Sequence, residues 1–174
     1  LFKKNAGKFT GWISYTLSRS ERKFPTVNNE TWFPSRYDRT HDLSIVLMYD
    51  ITPKINVSAS WVYYTGIATT FPIGKYFLNG QIVPLYGDRN QDRFPAYHRL
   101  DIGATFTLKK HKTWEHDLNI SVYNLYARKN AYTIDFETDY TNGTTYAQKT
   151  YLFRIVPSIT YNFKFSVTPK KKKE

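Results

Sequence analysis

Residues 88 to 92 read Asp88-Arg-Asn-Gln-Asp92, the D-x-N-x-D opening of a calcium-binding loop. Such a loop needs a glycine at its sixth position and a bidentate carboxylate at its twelfth. Here those positions hold Arg93 and Arg99, so loop ion pairs are the expectation rather than a metal. His41, His98, His111 and His116 have no second ligand at metal spacing and read as rim or surface residues. Asp135 and Glu137 come nearest to a carboxylate pair, but they lie in a Tyr- and Thr-rich segment that does not place them around a substrate. Phosphate-cradling glycine loops, nucleophile elbows and His-Glu-x-x-His motifs are absent from the sequence. The chain has no cysteine, which excludes a disulfide framework and a thiolate metal site. No catalytic residue, metal site or cofactor is expected, and the chain does not read as an enzyme.

Binding chemistry is better represented. Phe71, Tyr76, Phe77, Tyr86, Arg89 and Arg93 fall within one long inter-strand segment. Aromatic platforms beside guanidinium donors suit sugars, peptides or anionic chelates. The competing expectation is that these side chains pack against neighbouring loops. Loops on a rigid scaffold are where binding groups concentrate, so the scaffold comes next.

Its signature is period two. In Tyr151-Leu-Phe-Arg-Ile-Val-Pro-Ser-Ile-Thr-Tyr-Asn-Phe-Lys-Phe165 the odd positions are all apolar or aromatic, while Arg154, Ser158, Thr160, Asn162 and Lys164 occupy even ones. A strand with this pattern has one greasy face and one wet face. Five earlier segments repeat it: residues 8–19, 41–51, 55–65, 99–109 and 117–126. Leu43, Ile45, Leu47, Tyr49 and Ile51 oppose Asp42, Ser44 and Asp50; Leu100, Ile102, Ala104, Phe106 and Leu108 oppose Asp101, Gly103, Thr105 and Thr107. The pattern blurs at Asn124-Leu125. Each segment has the length of a tilted membrane strand, about 9 to 11 residues. Connections alternate between short (52–54, 110–115) and long (20–40, 66–98, 127–150), as in transmembrane barrels with short periplasmic turns and long external loops. Asn142-Gly143 marks a tight turn, so strands five and six are expected to continue above the membrane as a hairpin. Tyr63, Tyr64, Tyr123 and Tyr126 are expected at the outer interface and Trp114, Tyr161, Phe163 and Phe165 at the inner one.

Composition is consistent with this reading but does not reveal it. The 174 residues contain no apolar run near the roughly 20 residues of a spanning helix. A mean hydropathy of −0.55 is what a barrel shows when apolar residues occupy alternate positions. A net charge of +11 with 18% aromatics suggests nucleic acid first. The surplus, however, gathers at Lys3, Lys4, Lys8, Lys54, Lys109, Lys110, Lys112, Lys164 and Lys170 to Lys173, which the strand plan puts at strand ends and short turns along one rim. Residues 1–165 therefore form the strand-bearing segment and 166–174 a basic tail. The opening Leu1-Phe-Lys-Lys lacks the apolar core of a signal peptide, so the chain is expected to begin inside a longer product. Six strands are too few to enclose a lumen, and the missing strands must come from elsewhere.

Phe33-Pro-Ser-Arg-Tyr-Asp-Arg-Thr-His-Asp-Leu43, Phe94-Pro-Ala-Tyr-His-Arg-Leu-Asp-Ile102, Ile120-Ser-Val-Tyr-Asn-Leu-Tyr126 and Ser158-Ile-Thr-Tyr-Asn-Phe-Lys-Phe165 resemble the C-terminal barrel strands of TonB-dependent outer-membrane transporters. The resemblance rests on Arg99-Leu-Asp101 opening a strand near the outer rim, on Asn124-Leu125 in the penultimate strand, and on the closing aromatics. It implies an all-β transmembrane antiparallel barrel, this chain holding the last six of 22 strands. It implies energy-coupled import of a glycan, peptide or metal chelate, with plug and TonB-engaging box upstream of Leu1. The partners it implies are outer-membrane lipid, the remaining strands and plug of the same protein, TonB, the barrel assembly machinery and a surface lipoprotein. Tyr161, Phe163 and Phe165 would form the assembly signal, and residues 166–174 extend past the aromatic at which the family's last strand ends. A passive porin or structural outer-membrane subunit is the alternative, and a soluble basic nucleic-acid-binding β-protein ranks below both.

Overall fold

The structure, a computed structural model, describes residues 1–110 and 113–165. His111, Lys112 and the basic tail 166–174, with its Lys170 to Lys173 run, lie outside the described residues. Seven strands follow one another in chain order across a single antiparallel sheet: β1 (Phe2–Lys4), β2 (Phe9–Leu17), β3 (His41–Thr52), β4 (Ile55–Tyr64), β5 (Tyr97–Lys110), β6 (Trp114–Tyr123) and β7 (Val156–Phe165). Among the described residues no helix is long and apolar enough to cross a membrane.

Alternation fixes the register. Gly11, Leu47, Ala59, Ile102, Val122 and Pro157 are successive cross-strand partners from β2 to β7. One row away, Tyr49, Val57, Ala104, Ile120 and Ile159 do the same. A slip of one residue in any strand would turn its apolar set onto the opposite face. On that opposite face Asn56, Thr105, Asn119 and Thr160 are partners, and Asn119 Nδ2 donates to Thr105 Oγ1 at 2.8 Å. Within the paired rows the residues expected to point outward thus share one face across six strands, the rows being interrupted by irregularities at Ile51 and Leu108.

Three differences from the expected strands have local causes. β1 is an additional strand, with Lys3 opposite Trp12 and Lys4 opposite Gly11, so these two lysines lie along the sheet edge rather than at a rim. β6 spans Trp114–Tyr123 instead of 117–126, because Asn124 adopts a left-handed φ of 53° and leaves the ladder. β7 consequently begins at Val156, the partner of Tyr123, and not at Tyr151. Phe153 and Ile155 keep the odd-position alternation, but among the described residues they pair with no neighbouring strand, and with Leu152 they remain more than half exposed.

The short turns are tight. Pro53 and Lys54 join β3 to β4, with proline's fixed φ suited to the second turn position. Lys110 pairs with Glu115 at the other turn, so β5 and β6 are connected even more closely than the 110–115 spacing suggests. The opposite end carries three long connections with strand pairs of their own. These are Glu21–Arg22 with Phe33–Pro34, Ala68–Thr69 with Asp92–Arg93, and the hairpins Pro72–Leu78/Gln81–Tyr86 and Thr133–Thr138/Thr145–Thr150. The latter has Asn142-Gly143 in the loop 139–144 rather than in a tight two-residue turn, forms a separate two-stranded sheet and does not prolong the β6/β7 pairing. The former turns at Asn79-Gly80, both at positive φ (51° and 78°), the backbone that a two-residue hairpin loop requires.

The core sits in this cap of long connections. Among the described residues the covered apolar side chains are Phe33 and Ala68, and the covered polar ones include Ser35, Asp38 and Asn124. The apolar face of the wall is open. Ile13, Ile102, Ile120 and Ile159 are 41, 37, 43 and 73% exposed. The two edge strands, β1 and β7, do not meet, so the sheet is a curved or flat wall without closure.

Candidate functional site

Where the polar face of the wall meets the cap, three tyrosines and two arginines converge. Tyr64 at the end of β4 is the cross-strand partner of Tyr97 at the start of β5, and their rings lie parallel with centroids 4.5 Å apart. The Arg39 guanidinium covers the Tyr64 ring at 4.0 Å. Arg99, two residues along β5, lies over Tyr123 at 4.1 Å and donates from Nη1 to the Tyr97 hydroxyl at 3.0 Å. Planar guanidinium on an aromatic face is favourable on both electrostatic and stacking grounds. Asn130, Ala131, Tyr132, Leu152 and Phe153 from the cap close over the tyrosines, leaving a cavity of about 230 Å³.

Asp101 holds this cluster in place. Its Oδ2 accepts from Arg99 Nε at 2.9 Å, and its Oδ1 accepts from the Asn124 backbone N–H at 2.8 Å. Asn124 is 1% exposed, and its amide nitrogen donates to the carbonyls of Arg128 (2.9 Å) and Arg154 (2.5 Å). The Arg-x-Asp and Asn-Leu motifs are therefore in direct contact: one orients the arginine, the other turns the chain out of β6. Rings, hydroxyl edges and guanidinium donors set rigidly on a wall can bind polar, ring-bearing or anionic molecules.

Sequence reasoning missed this cluster by assigning Tyr64 and Tyr123 to the apolar interface. Parity was the available signal. Tyr64 follows Tyr63, so only one of them can share the face of Trp61, and the structure puts Tyr63 there. Tyr126 reaches the same side, its hydroxyl 2.8 Å from Nδ1 of His98. Trp114, Tyr161, Phe163 and Phe165 do line the apolar face at the short-turn end, as expected.

The six residues expected to contact ligand are divided. Phe71 packs between Phe94 (6.0 Å) and Phe136 (5.2 Å), and with Tyr86 it lines a cleft of about 270 Å³ between two long connections. Tyr76 and Phe77 stand on opposite faces of their hairpin and are exposed. Arg89 is held through its backbone: its N–H donates to Asn28 Oδ1 at 2.7 Å and its carbonyl accepts from Asn28 Nδ2 at 3.0 Å. Arg93 is not a free donor. It forms an ion pair with the 3%-exposed Asp38 and donates to the carbonyls of Asp38 and Gly66, both at 3.1 Å. Burial pushes the Asp38 carboxyl up, but hydrogen bonds from Arg93 and the Ser20 backbone and the Arg93 charge outweigh it and hold the group below its ordinary value. Gly66 is required at this junction because a Cβ would fall 1.7 Å from the Phe94 carbonyl oxygen.

The Asp88–Asp92 segment spends its polar atoms on the cap. Asp92 Oδ2 accepts from Phe71 N–H at 2.9 Å, and Asn90 donates from N to Thr70 Oγ1 and from Nδ2 to the Pro34 carbonyl, both at 2.8 Å. Within 88–92 these are hydrogen bonds to loop backbone and hydroxyls, while the expected ion pairs form at the two arginines of the motif, Arg93 with Asp38 and Arg99 with Asp101. Among the described residues no three His, Cys, Asp or Glu side chains gather to hold a metal. Asp135 and Glu137 each accept a hydroxyl of their own hairpin, Thr133 at 2.5 Å and Tyr146 at 3.0 Å. His41, His98 and His116 each pair through Nδ1 with a tyrosine hydroxyl, of Tyr15, Tyr126 and Tyr161, at 2.9, 2.8 and 2.7 Å.

Compared with family models, curated proteins and solved structures, the chain matches none.

Proposed function

We propose that this chain forms the C-terminal wall of a TonB-dependent barrel in an outer membrane and contributes to energy-coupled import of a nutrient such as a glycan, peptide or metal chelate. One observation carries the reading: among the described residues a meandering antiparallel wall has one apolar and one polar face, buries almost nothing of its own, and leaves both edges unpaired. In water such a wall would expose its apolar face without compensation. In hydrocarbon that face is solvated, and the unpaired edges demand further strands. Upstream strands of the same protein would supply them, with plug and TonB-engaging box preceding those. The polar face with the Tyr64, Tyr97, Tyr123, Arg39 and Arg99 cluster would then line the passage beneath an external cap. Tyr161, Phe163 and Phe165 would present the signal read by the assembly machinery, and the exposed hairpin bearing Tyr76 and Phe77 would be open to a surface lipoprotein.

Nitroxide labels walked along residues 43 to 50 of the complete protein in lipid bilayers test the premise. Accessibility to oxygen is expected to peak at 43, 45, 47 and 49 and accessibility to an aqueous quencher at the positions between. Traces without a two-residue period would overturn the membrane reading. Uptake that survives removal of the upstream TonB-engaging segment would favour passive diffusion instead.

A further inference from the structure

We infer that the short-turn end of β5, β6 and β7 carries a binding site for the phosphate of an anionic glycerophospholipid. The inference rests on the apolar face lying in hydrocarbon, as proposed above, and adds a specific ligand to it.

The site is built on adjacent rows of the apolar face. Lys109 is the cross-strand partner of His116, which is the partner of Phe163; Trp114 is the partner of Phe165 one row further out. The indole packs edge-on to the imidazole at 5.1 Å and lies 6.2 Å from the Phe163 ring. His116 Nδ1 and the Tyr161 hydroxyl are 2.7 Å apart. These rings form a ledge, and the Lys109 ammonium lies over it, 5.6 Å from the Trp114 centroid. Beyond the ledge the same face continues as Leu118, Ile120 and Ile159. Polar groups therefore stand at one end of a surface that is otherwise hydrocarbon, with the spacing of headgroup to acyl chain along one strand.

Charge identifies the occupant. Of the neighbouring lysines on β5 and β7, Lys110 is paired with Glu115 at 3.4 Å and Lys164 with Asp117 at 3.5 Å. Lys109 is exposed and forms no ion pair among the described residues. The partners of Lys110 and Lys164 point to the opposite face by strand parity, so they are not available to it. His116 Nε2 is covered, so the imidazole braces the ledge through Tyr161 and leaves the exposed tyrosine hydroxyl at its edge. An unneutralised ammonium beside a tyrosine hydroxyl, at the edge of an apolar surface, suits a phosphodiester that carries net negative charge. A choline headgroup would set its own cation against Lys109.

Bromine-labelled lipids decide the matter in the complete protein reconstituted into vesicles. The readouts are the fluorescence components lost in Trp114→Phe and in Trp61→Phe, Trp61 being on the apolar face near the opposite end. Brominated phosphatidylglycerol diluted into phosphatidylcholine should quench the Trp114 component roughly fivefold more effectively than brominated phosphatidylcholine at the same dilution, the ratio one lysine contact is worth. Lys109→Gln should abolish that preference, whereas Lys164→Gln should retain it. Equal quenching of the Trp114 component by both lipids, with Trp61 quenched by each, overturns the site while the membrane reading stands. Failure of either lipid to quench Trp61 overturns the membrane reading and the site with it. Reversal of the preference by millimolar inorganic phosphate would identify a free-anion site and overturn the lipid assignment.

Discussion

Asp101 Oδ1 accepts a 2.8 Å hydrogen bond from the backbone N–H of Asn124 at the point where β6 leaves the sheet. The carboxylate that orients Arg99 across the tyrosine cluster thereby also fixes the chain reversal into the last long connection. Leu125 N–H donates to the Leu100 carbonyl at 2.7 Å beside it, so backbone and side chain act together. The geometry of the cluster and the end of the strand are set by the same residue pair.

Replacing Asn124 by Ala should cost about 2 to 3 kcal/mol, since two carbonyls lose their donor and a side chain with a Cβ must hold a φ of 53°. Asn124→Gly should cost less, because glycine adopts that φ freely while losing the same hydrogen bonds. Denaturant unfolding of both variants gives the difference, and equal losses would show that the amide alone matters.

Arg93→Ala should destabilise the cap by about 3 kcal/mol, because it leaves the covered Asp38 carboxylate unpaired. Asp38→Asn in the same background should recover part of the loss by removing that charge. Protease susceptibility of the long connections reports it.

The same pair sets an acid limit. Because the folded Asp38 carboxyl titrates below its ordinary value of 3.8, its contribution is fully present above that pH and disappears as pH falls through the lower, folded value. Cap protection in hydrogen exchange should hold from neutrality down to about pH 4 and fall below it. A loss centred near pH 6 would exclude Asp38 as the controlling group.

Arginine at Ile102, near the middle of the apolar face, should cost roughly 2 to 4 kcal/mol in a bilayer, and at Ser44 on the polar face much less. Reversible folding into vesicles measures both, and equal costs would refute the assignment of faces.

Deletion of Phe165, opposite Trp114 at the end of β7, should lower membrane assembly more than removal of residues 170–174. The fraction of protein resisting urea extraction from membranes is the readout. Unchanged extraction for the Phe165 variant would remove the assembly role of the closing aromatics.

Much of the wall was legible because alternation is a one-dimensional code. The turn at Pro53-Lys54 sets Thr52 opposite Ile55, a one-residue irregularity between Asp50 and Thr52 then brings Ile45 opposite Trp61 and so matches the apolar faces, and the same alternation places Ile13 opposite Ile45. The end of β6 was not legible to a residue, since the alternation only blurs at Asn124-Leu125 and it is the left-handed Asn124 backbone that ends the strand. The cap was opaque for a different reason. Its order comes from long-range pairs such as Asn28 with Arg89 and Asp38 with Arg93, and such pairings carry no periodicity. Arg93 looked like a ligand donor from its residue type, and only the fold reveals that its valences are already taken by Asp38 and Gly66. One overlooked signal was local: Asn79-Gly80 marks the hairpin Pro72–Leu78/Gln81–Tyr86 as clearly as Asn142-Gly143 marks the other.

Because Phe33 and Ala68, both in the cap, are the covered apolar side chains among the described residues, wall and cap answer to different constraints. A wall position such as Ile120 interlocks with no opposing layer and needs only the right affinity for its solvent, so leucine, valine or phenylalanine would serve there about equally. The cap is a jigsaw whose pieces, Asp38 and Gly66 among them, admit few substitutes. Sequence drift should therefore be wide but chemically conservative along the strands, and narrow at the few junctions that lock the cap together.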